Sequence, residues 1–240
     1  MGVLARKLLS INRGIEFVGA ATDTKAGATS GNSTIALNSG LTGGTRSGVQ
    51  NGDLVIAFFA SWSTVDRTLS ITDGTNPYTL IATELLGNDT TKTNLRVAYK
   101  FVSGDTDTRF GPTGATSDTG AMGVFVFSGV NSATPLDVAA TTATGLNSPI
   151  ADPPSITPST AGAHIICIGA GAHSAGLQPY SSSDFDAFVS VQADLTRDIS
   201  VGIGRKAWTS GKFNPAAYSW SGFNDPSYSW AAMSVALRPA

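Results

Sequence analysis

The side chains that usually cover the exposed faces of helices are scarce in this 240-residue sequence. It contains two Glu, three Gln and six Lys, against fifteen Asp and 27 Gly. Glu, Gln and Lys lose little freedom in a helix, whereas Asp, Gly, Ser and Thr favour turns and strands. The chain therefore lacks the residues for many solvent-exposed helices, and we predict an all-β fold.

Short apolar runs separated by segments rich in Gly, Asn, Asp and Pro predict the strands. Apolar and polar residues alternate at 95–102 and 199–208, as in strands with one face in a core and one in water. Nearly continuous runs at 54–60 and 165–168 are typical of strands covered on both faces. We predict about ten strands in one jelly-roll-like antiparallel β-sandwich over residues 14–240. The runs are 15–20, 34–37, 54–62, 69–72, 78–83, 95–102, 122–130, 163–169, 185–191, 199–208 and 228–237.

A Pro- and Ser-rich segment at 148–160 is compatible with a linker between two domains. The strands on either side look incomplete as separate domains. We therefore expect a long loop that crosses the end of a single sandwich.

Residues 1–13 are basic and differ in pattern from the rest of the chain. Their large aliphatic side chains recur at the spacing of one helical stripe. We predict a separate N-terminal arm, extended or briefly helical, that binds a neighbouring subunit through apolar anchors and charge complementarity. The alternative is a frayed terminus, because short isolated helices are marginal in water. The predicted binding residues are Leu4, Arg6, Lys7, Leu8 and Ile11.

The sequence offers little for acid–base, nucleophilic or redox chemistry. His164 and His173 match no zinc-ligand spacing, and no G-x-S-x-G motif accompanies the many serines. Cys167, the single cysteine, excludes an intramolecular disulfide and lies in an apolar run, so we expect a buried, inert thiol. We expect no catalytic residue, no cofactor, no metal site and no enzymatic activity.

Asp184 and Asp186 are two residues apart and would share one face of an extended segment. Such a pair could bind calcium together with loop carbonyls, or serve a glycan-cleaving enzyme. Solvated turn caps are the interpretation that we favour for both.

Seven of the twenty aromatic residues fall between positions 208 and 230. We expect Trp208 and Trp230 to fill the interior of the sandwich. Tyr218, Trp220 and Phe223 are the candidates for surface rings that stack on a sugar or anchor a protein interface.

The formal net charge of −2 provides no basic field for nucleic acid or an anionic membrane surface. No run approaches the roughly 20 apolar residues that a membrane-spanning helix needs. No apolar region of a secretory signal follows the basic residues near the start. We expect no export signal, no membrane insertion and no nucleic-acid binding.

Four segments carry a resemblance to a known class of proteins: GDLVIAFFAS (52–61), LRVAYKFVSGDTDT (95–108), GVFVFSGVNSATPLD (123–137) and TPSTAGAHIICIGA (157–170). This succession is similar to jelly-roll-like structural proteins of tailed bacteriophages. The resemblance implies a virion component of the capsid decoration, collar or tail and fibre attachment type. It brings no catalytic residues.

That resemblance implies assembly with other virion proteins, a homo-oligomer and location in the virion after synthesis in the host cytoplasm. The alternative is a carbohydrate-binding module of a host-recognition fibre, in which the C-terminal aromatic residues bind a host-surface glycan.

Overall fold

The computed structural model describes residues 14–25, 33–63, 68–87, 92–112, 119–173, 179–193, 198–221 and 228–240. These ranges contain strands and no helix, so the all-β prediction is confirmed. The strands are β1 Glu16–Lys25, β2 Ser33–Ala36, β3 Leu54–Ser63, β4 Leu69–Thr72, β5 Thr79–Leu80, β6 Leu85–Gly87, β7 Lys92–Phe101, β8 Asp107–Pro112, β9 Thr119–Ser128, β10 Thr141–Leu146, β11 His164–His173, β12 Ala187–Ala193, β13 Asp198–Ala207 and β14 Ser229–Leu237.

The described strands form three antiparallel sheets. A six-stranded sheet has the order β1-β9-β3-β7-β5, with β6 also paired to β7, and a three-stranded sheet has the order β2-β8-β4. A five-stranded sheet has the order β10-β14-β11-β13-β12. Successive strands of a jelly roll alternate between two sheets, whereas each large sheet here takes its strands from one half of the chain. The β-sandwich is confirmed, and its jelly-roll form is not.

The main core lies between the six-stranded and the five-stranded sheet. Phe58 and Phe125 from the first sheet share this core with Ile168, Val201 and Met233 from the second. The residues before and after the Pro-rich segment 148–160 therefore pack in one apolar cluster. Alternate residues of each strand face this core, as the strand period of two requires.

The other face of the six-stranded sheet is covered by the three-stranded sheet. Val55, Phe59 and Met122 pack there against Leu69 and Phe110, and the Phe59 and Phe110 ring centroids are 6.0 Å apart. Every residue of β3 is buried. This explains its continuous apolar sequence, as expected for a strand covered on both faces.

The other face of the five-stranded sheet is covered by chain segments without regular strands. Ile156, in the Pro-rich segment, pairs with Phe213 through two backbone hydrogen bonds of 2.9 Å and packs on Ile165 and Cys167. We expected this segment to cross the end of the sandwich, and it crosses the outer face instead. Small residues such as Gly169 make this possible, because they let the segment approach the sheet closely.

Candidate functional site

A layer of aromatic rings lies on the outer face of the five-stranded sheet. Tyr218 is at its centre, with ring centroids at 5.0 Å from Phe188, 5.6 Å from Tyr180 and 6.3 Å from Phe185. We call Tyr180, Phe185, Phe188, Tyr218 and Trp220 the aromatic layer. Its rings make the tilted and edge-to-face contacts that aromatic pairs prefer.

Tyr218 is not a surface residue, so that part of the sequence prediction is wrong. Its side chain is 1% exposed, and its hydroxyl donates a 2.9 Å hydrogen bond to the Cys167 carbonyl. Burial raises the pKa of Tyr218 well above its usual value. A ring enclosed in this way cannot stack on a sugar.

Glycines under the aromatic layer provide the space for its rings. A Cβ added at Gly169 would lie 2.9 Å from the Tyr218 ring, and one at Gly202 would lie 2.8 Å from it. A Cβ at Gly204 would lie 2.3 Å from Phe185. The alternation of Gly with apolar residues in β11 and β13 is the sequence signal that could have indicated a sheet face with space for rings.

Trp220 lies at the margin of the layer and is half-buried. Its ring centroid is 5.3 Å from that of Tyr180. Together with Pro179 and the three serines Ser181, Ser219 and Ser221 it lines an open cavity of about 350 Å³. Phe223, the third predicted surface aromatic, lies outside the described residues.

We expected Trp208 and Trp230 to fill the interior of the sandwich. Both are instead half-buried and do not lie in that interior. Trp208 packs against the cluster of Ile156 and Cys167, and Trp230 packs beside the aromatic layer. Alternation along β14 explains this for Trp230, because its neighbour Ala231 is the residue that faces the core.

His173 connects two polar side chains at the end of the same sheet face. Its Nε2 is 2.9 Å from Ser200 Oγ, and its Nδ1 is 3.7 Å from Asp198 Oδ2. The Trp220 ring packs edge-on against the imidazole, with centroids 4.8 Å apart. The order of these groups is that of a Ser-His-Asp hydrolase, but 3.7 Å is longer than a hydrogen bond between Nδ1 and the carboxylate, and no sequence motif indicated the group.

The three side chains of this group are nevertheless enclosed. His173 is 1% exposed, Asp198 2% and Ser200 0%, and Ser200 lies on a strand paired on both sides. A nucleophile must be presented to its substrate, and this hydroxyl is not. We interpret the group as a buried polar network that stabilises the end of the sheet.

The other histidine cannot share a metal ion with this one. His164 and His173 are the first and last residues of β11, which places them roughly 30 Å apart at about 3.3 Å per residue. Burial lowers the pKa of His164, and the positive charge of Arg205 lowers it further. Within the described ranges no three His, Cys, Asp or Glu residues lie close enough together to hold a metal ion.

Asp184 and Asp186 each cap a backbone amide. Asp184 accepts a 2.8 Å hydrogen bond from the Ala216 amide, and Asp186 accepts one of 2.7 Å from the Ala207 amide. The two carboxylates thus bind different chain segments. This geometry favours the turn-cap interpretation over a shared calcium ion.

Cys167 is fully buried, as predicted, and its Sγ is 3.2 Å from Ser234 Oγ. Burial raises the pKa of this thiol to about 12. The thiolate is therefore not formed near neutral pH, and the residue serves packing.

An apolar groove of about 240 Å³ opens between the edge strands β1 and β12. Phe17 and Phe125 line it on one side, and Phe188 and Val189 on the other. The predicted binding residues of the arm, Leu4, Arg6, Lys7, Leu8 and Ile11, lie outside the described residues.

No protein family, curated protein or solved structure matches this chain. Across the described ranges, no helix has the length and hydrophobicity to cross a membrane.

Proposed function

We propose that the chain is a non-enzymatic structural protein of a bacteriophage virion, of the capsid decoration, collar or fibre-attachment type. It binds other virion proteins through residues 1–13, and it acts in the virion as a homo-oligomer. One observation carries this proposal: in the four segments that resemble phage structural proteins, the described side chains serve packing and turns. These segments are 52–61, 95–108, 123–137 and 157–170.

Two aspartates in those segments illustrate this role. Asp53 accepts hydrogen bonds from Arg46 Nη2 at 2.9 Å and from the Gln50 amide at 2.7 Å. Asp137 accepts them from the Ser159 and Thr160 amides at 2.5 and 3.1 Å. Both carboxylates hold loops in place through these hydrogen bonds. Such a role is consistent with a structural protein.

The arrangement of polar groups supports a non-enzymatic role. Ser200 and His173 are enclosed, and Asp184 and Asp186 are engaged as caps. Acid–base and nucleophilic catalysis need such groups within reach of a substrate.

The test is deletion of residues 1–13. The truncated sandwich should keep nearly the melting temperature of the full chain but disappear from purified particles, as measured by mass spectrometry. A triple Leu4→Ser, Leu8→Ser, Ile11→Ser variant should behave like the deletion, whereas Asn12→Ala is the matched control. Normal incorporation of the truncated chain, or absence of the full chain from particles, would contradict the proposal.

The cavity beside Trp220 favours a second candidate, a carbohydrate-binding module. A half-buried indole flanked by three serine hydroxyls combines a stacking surface with hydrogen-bonding groups. A glycan array should then show binding that Trp220→Ala abolishes and Trp208→Ala preserves. Release of a cleaved product would indicate a glycan-cleaving enzyme, and absence of binding would leave the structural role.

A further inference from the structure

Among the described residues, strand β12 forms one edge of the five-stranded sheet and lacks the features that usually protect such an edge. Its sequence, AFVSVQA, contains no charge, no Pro and no Gly. Its register with β13 runs without a bulge from Ala187 to Ala193. Among the described strands it pairs with β13 alone. Unprotected edges offer free backbone groups to another strand.

The edge of the six-stranded sheet beside it is protected. A bulge between Phe17 and Gly19 interrupts β1, and the Ala20 amide and carbonyl both bond to Thr42 at 2.9 Å. Asp23 and Lys25 place charges further along the same strand. On this side of the sandwich, the described residues thus protect the edge at β1 and leave the edge at β12 available for pairing.

The side chains of β12 suit pairing with a copy of itself. Val189 and Val191 face the main core, and Val189 is only half-buried because nothing described lies beyond the edge. In an antiparallel pair centred on Val189, Val189 meets its own copy and Ala187 meets Val191. Asp186 then lies opposite Gln192, so like charges do not face each other.

We propose that two copies of this chain associate through β12, which joins their five-stranded sheets into one continuous sheet about a twofold axis. The pairing is isologous, since each copy contributes the same strand. The apolar groove beside β12, lined by Phe188 and Val189, extends the contact beyond the backbone hydrogen bonds.

The opposite edge of this sheet, β10, is the competing partner. It is also uncharged, but its sequence TTATGL has three Thr and a Gly, and only Leu146 is a large exposed side chain. Pairing of β10 with β12 would produce a head-to-tail assembly instead of a dimer. We favour β12 with itself because valine on valine buries more apolar surface.

This inference deepens the proposed function, but its test needs only the purified full-length chain. Light scattering should give twice the 24.5 kDa mass of one chain at micromolar concentration. Val189→Lys should halve that mass because two ammonium groups would meet, whereas Thr144→Lys on β10 should leave it unchanged. Circular dichroism checks that both variants fold.

A cysteine variant keeps the inference testable if Val189→Lys does not fold. Val189→Cys should form a disulfide-linked dimer under mild oxidation, because facing Cβ atoms in an antiparallel pair approach to about 4.5 Å, and a small shift brings them within the roughly 3.5–4.5 Å that a disulfide spans. The native Cys167 is buried and does not interfere. Thr144→Cys alone should not cross-link.

Two outcomes would overturn the inference: a monomeric wild-type chain, or cross-linking of Val189→Cys to Thr144→Cys in a mixture without any Val189 homodimer. Both concern association in solution. Neither changes whether the chain is found in particles, so a failure here is separate from a failure of the virion role.

Discussion

The ring of Tyr218 occupies the space that a side chain at Gly202 would need. An ideal Cβ at Gly202 would lie 2.8 Å from Cε2 and 2.9 Å from Cδ2 of that ring. The Tyr218 hydroxyl meanwhile reaches the Cys167 carbonyl at 2.9 Å. Gly202 in β13 and the Cys167 carbonyl in β11 thus hold the Tyr218 ring against the sheet, although Tyr218 lies in a loop that is distant in sequence from β11.

Gly202→Ala should therefore destabilise the fold. The new methyl group would displace Tyr218 or Phe188, and such overpacking costs about 1–3 kcal/mol. Urea unfolding measures this loss, and near-ultraviolet circular dichroism should change with it. Gly14→Ala is the control, because an added Cβ there meets no atom within 4 Å. Equal stability of both variants would show that the ring is not held by this glycine.

The sequence was informative about the strands with strong apolar periodicity. All eleven predicted runs overlap observed strands, and the run at 54–62 lies within β3. Strands β6, β8 and β10 overlap no predicted run. Residues 107–112 of β8 are mostly polar or turn-forming, with Phe110 as their large apolar residue. The strand form of β8 comes from pairing with β2 and β4 on either side. Local sequence contains no trace of such partners.

The same limit explains the error at Tyr218. Tyr218 lies between the predicted runs 199–208 and 228–237, where no local apolar pattern indicated a buried ring. Its burial depends on Gly169 and Gly202, which lie elsewhere in the chain and come under the ring only in the folded sheet. The Asp198–His173–Ser200 network was missed for a similar reason, since two adjacent strands assemble it.

Asp137 should make the stability of the fold sensitive to acid. Burial alone raises its pKa, but hydrogen bonds from Thr160, Ser159 and Arg238 outweigh this and lower the pKa to about 2. The unfolded value is about 3.9. The ionised group therefore stabilises the fold above about pH 4, and this contribution, about 2 kcal/mol, is lost as the pH falls towards 2.

Asp137→Asn should accordingly be about 2 kcal/mol less stable than the wild type at pH 7, and the gap should narrow below about pH 4 and close near pH 2. Urea unfolding at several pH values measures both. Asp152→Asn, at an exposed position of the nearby loop, is the control. Parallel stability curves for wild type and Asp137→Asn would exclude this role for the carboxylate.

Lys100 joins two turns through its ammonium group. It bonds to Asp105 at 2.6 Å and to Asp73, whose other oxygen accepts the Thr75 and Asn76 amides at 2.7 and 2.6 Å. Hydrogen bonds from the Asn76 amide and then from Lys100 lower the pKa of Asp73. Burial lowers the pKa of Lys100, but the two carboxylates outweigh it and raise the value.

Lys100→Met should cost about 1–2 kcal/mol at pH 7, because the lysine is only 24% exposed and two carboxylates lose their cation. The raised lysine pKa means that the wild type loses this contribution as the pH rises through that value. Because the pKa of Asp73 is lowered, the wild type also loses this contribution in strong acid, where Asp73 becomes protonated. Thermal unfolding at low, neutral and high pH tests this, with exposed Lys212→Met as the control. A constant difference at every pH would contradict the mechanism.

The Ser200 hydroxyl should behave as a structural group and not as a nucleophile. Ser200→Ala removes the 2.9 Å contact with His173 Nε2 inside a site that is closed to solvent, so it should cost about 1–3 kcal/mol of stability. Exposed Ser183→Ala should cost nothing measurable. A fluorophosphonate probe, which labels activated serines, should leave the folded wild type unmodified. Labelling of Ser200 together with unchanged stability of Ser200→Ala would contradict this interpretation. It would show that the Trp220 ring moves away from His173 and that the Asp198–His173–Ser200 group is catalytic.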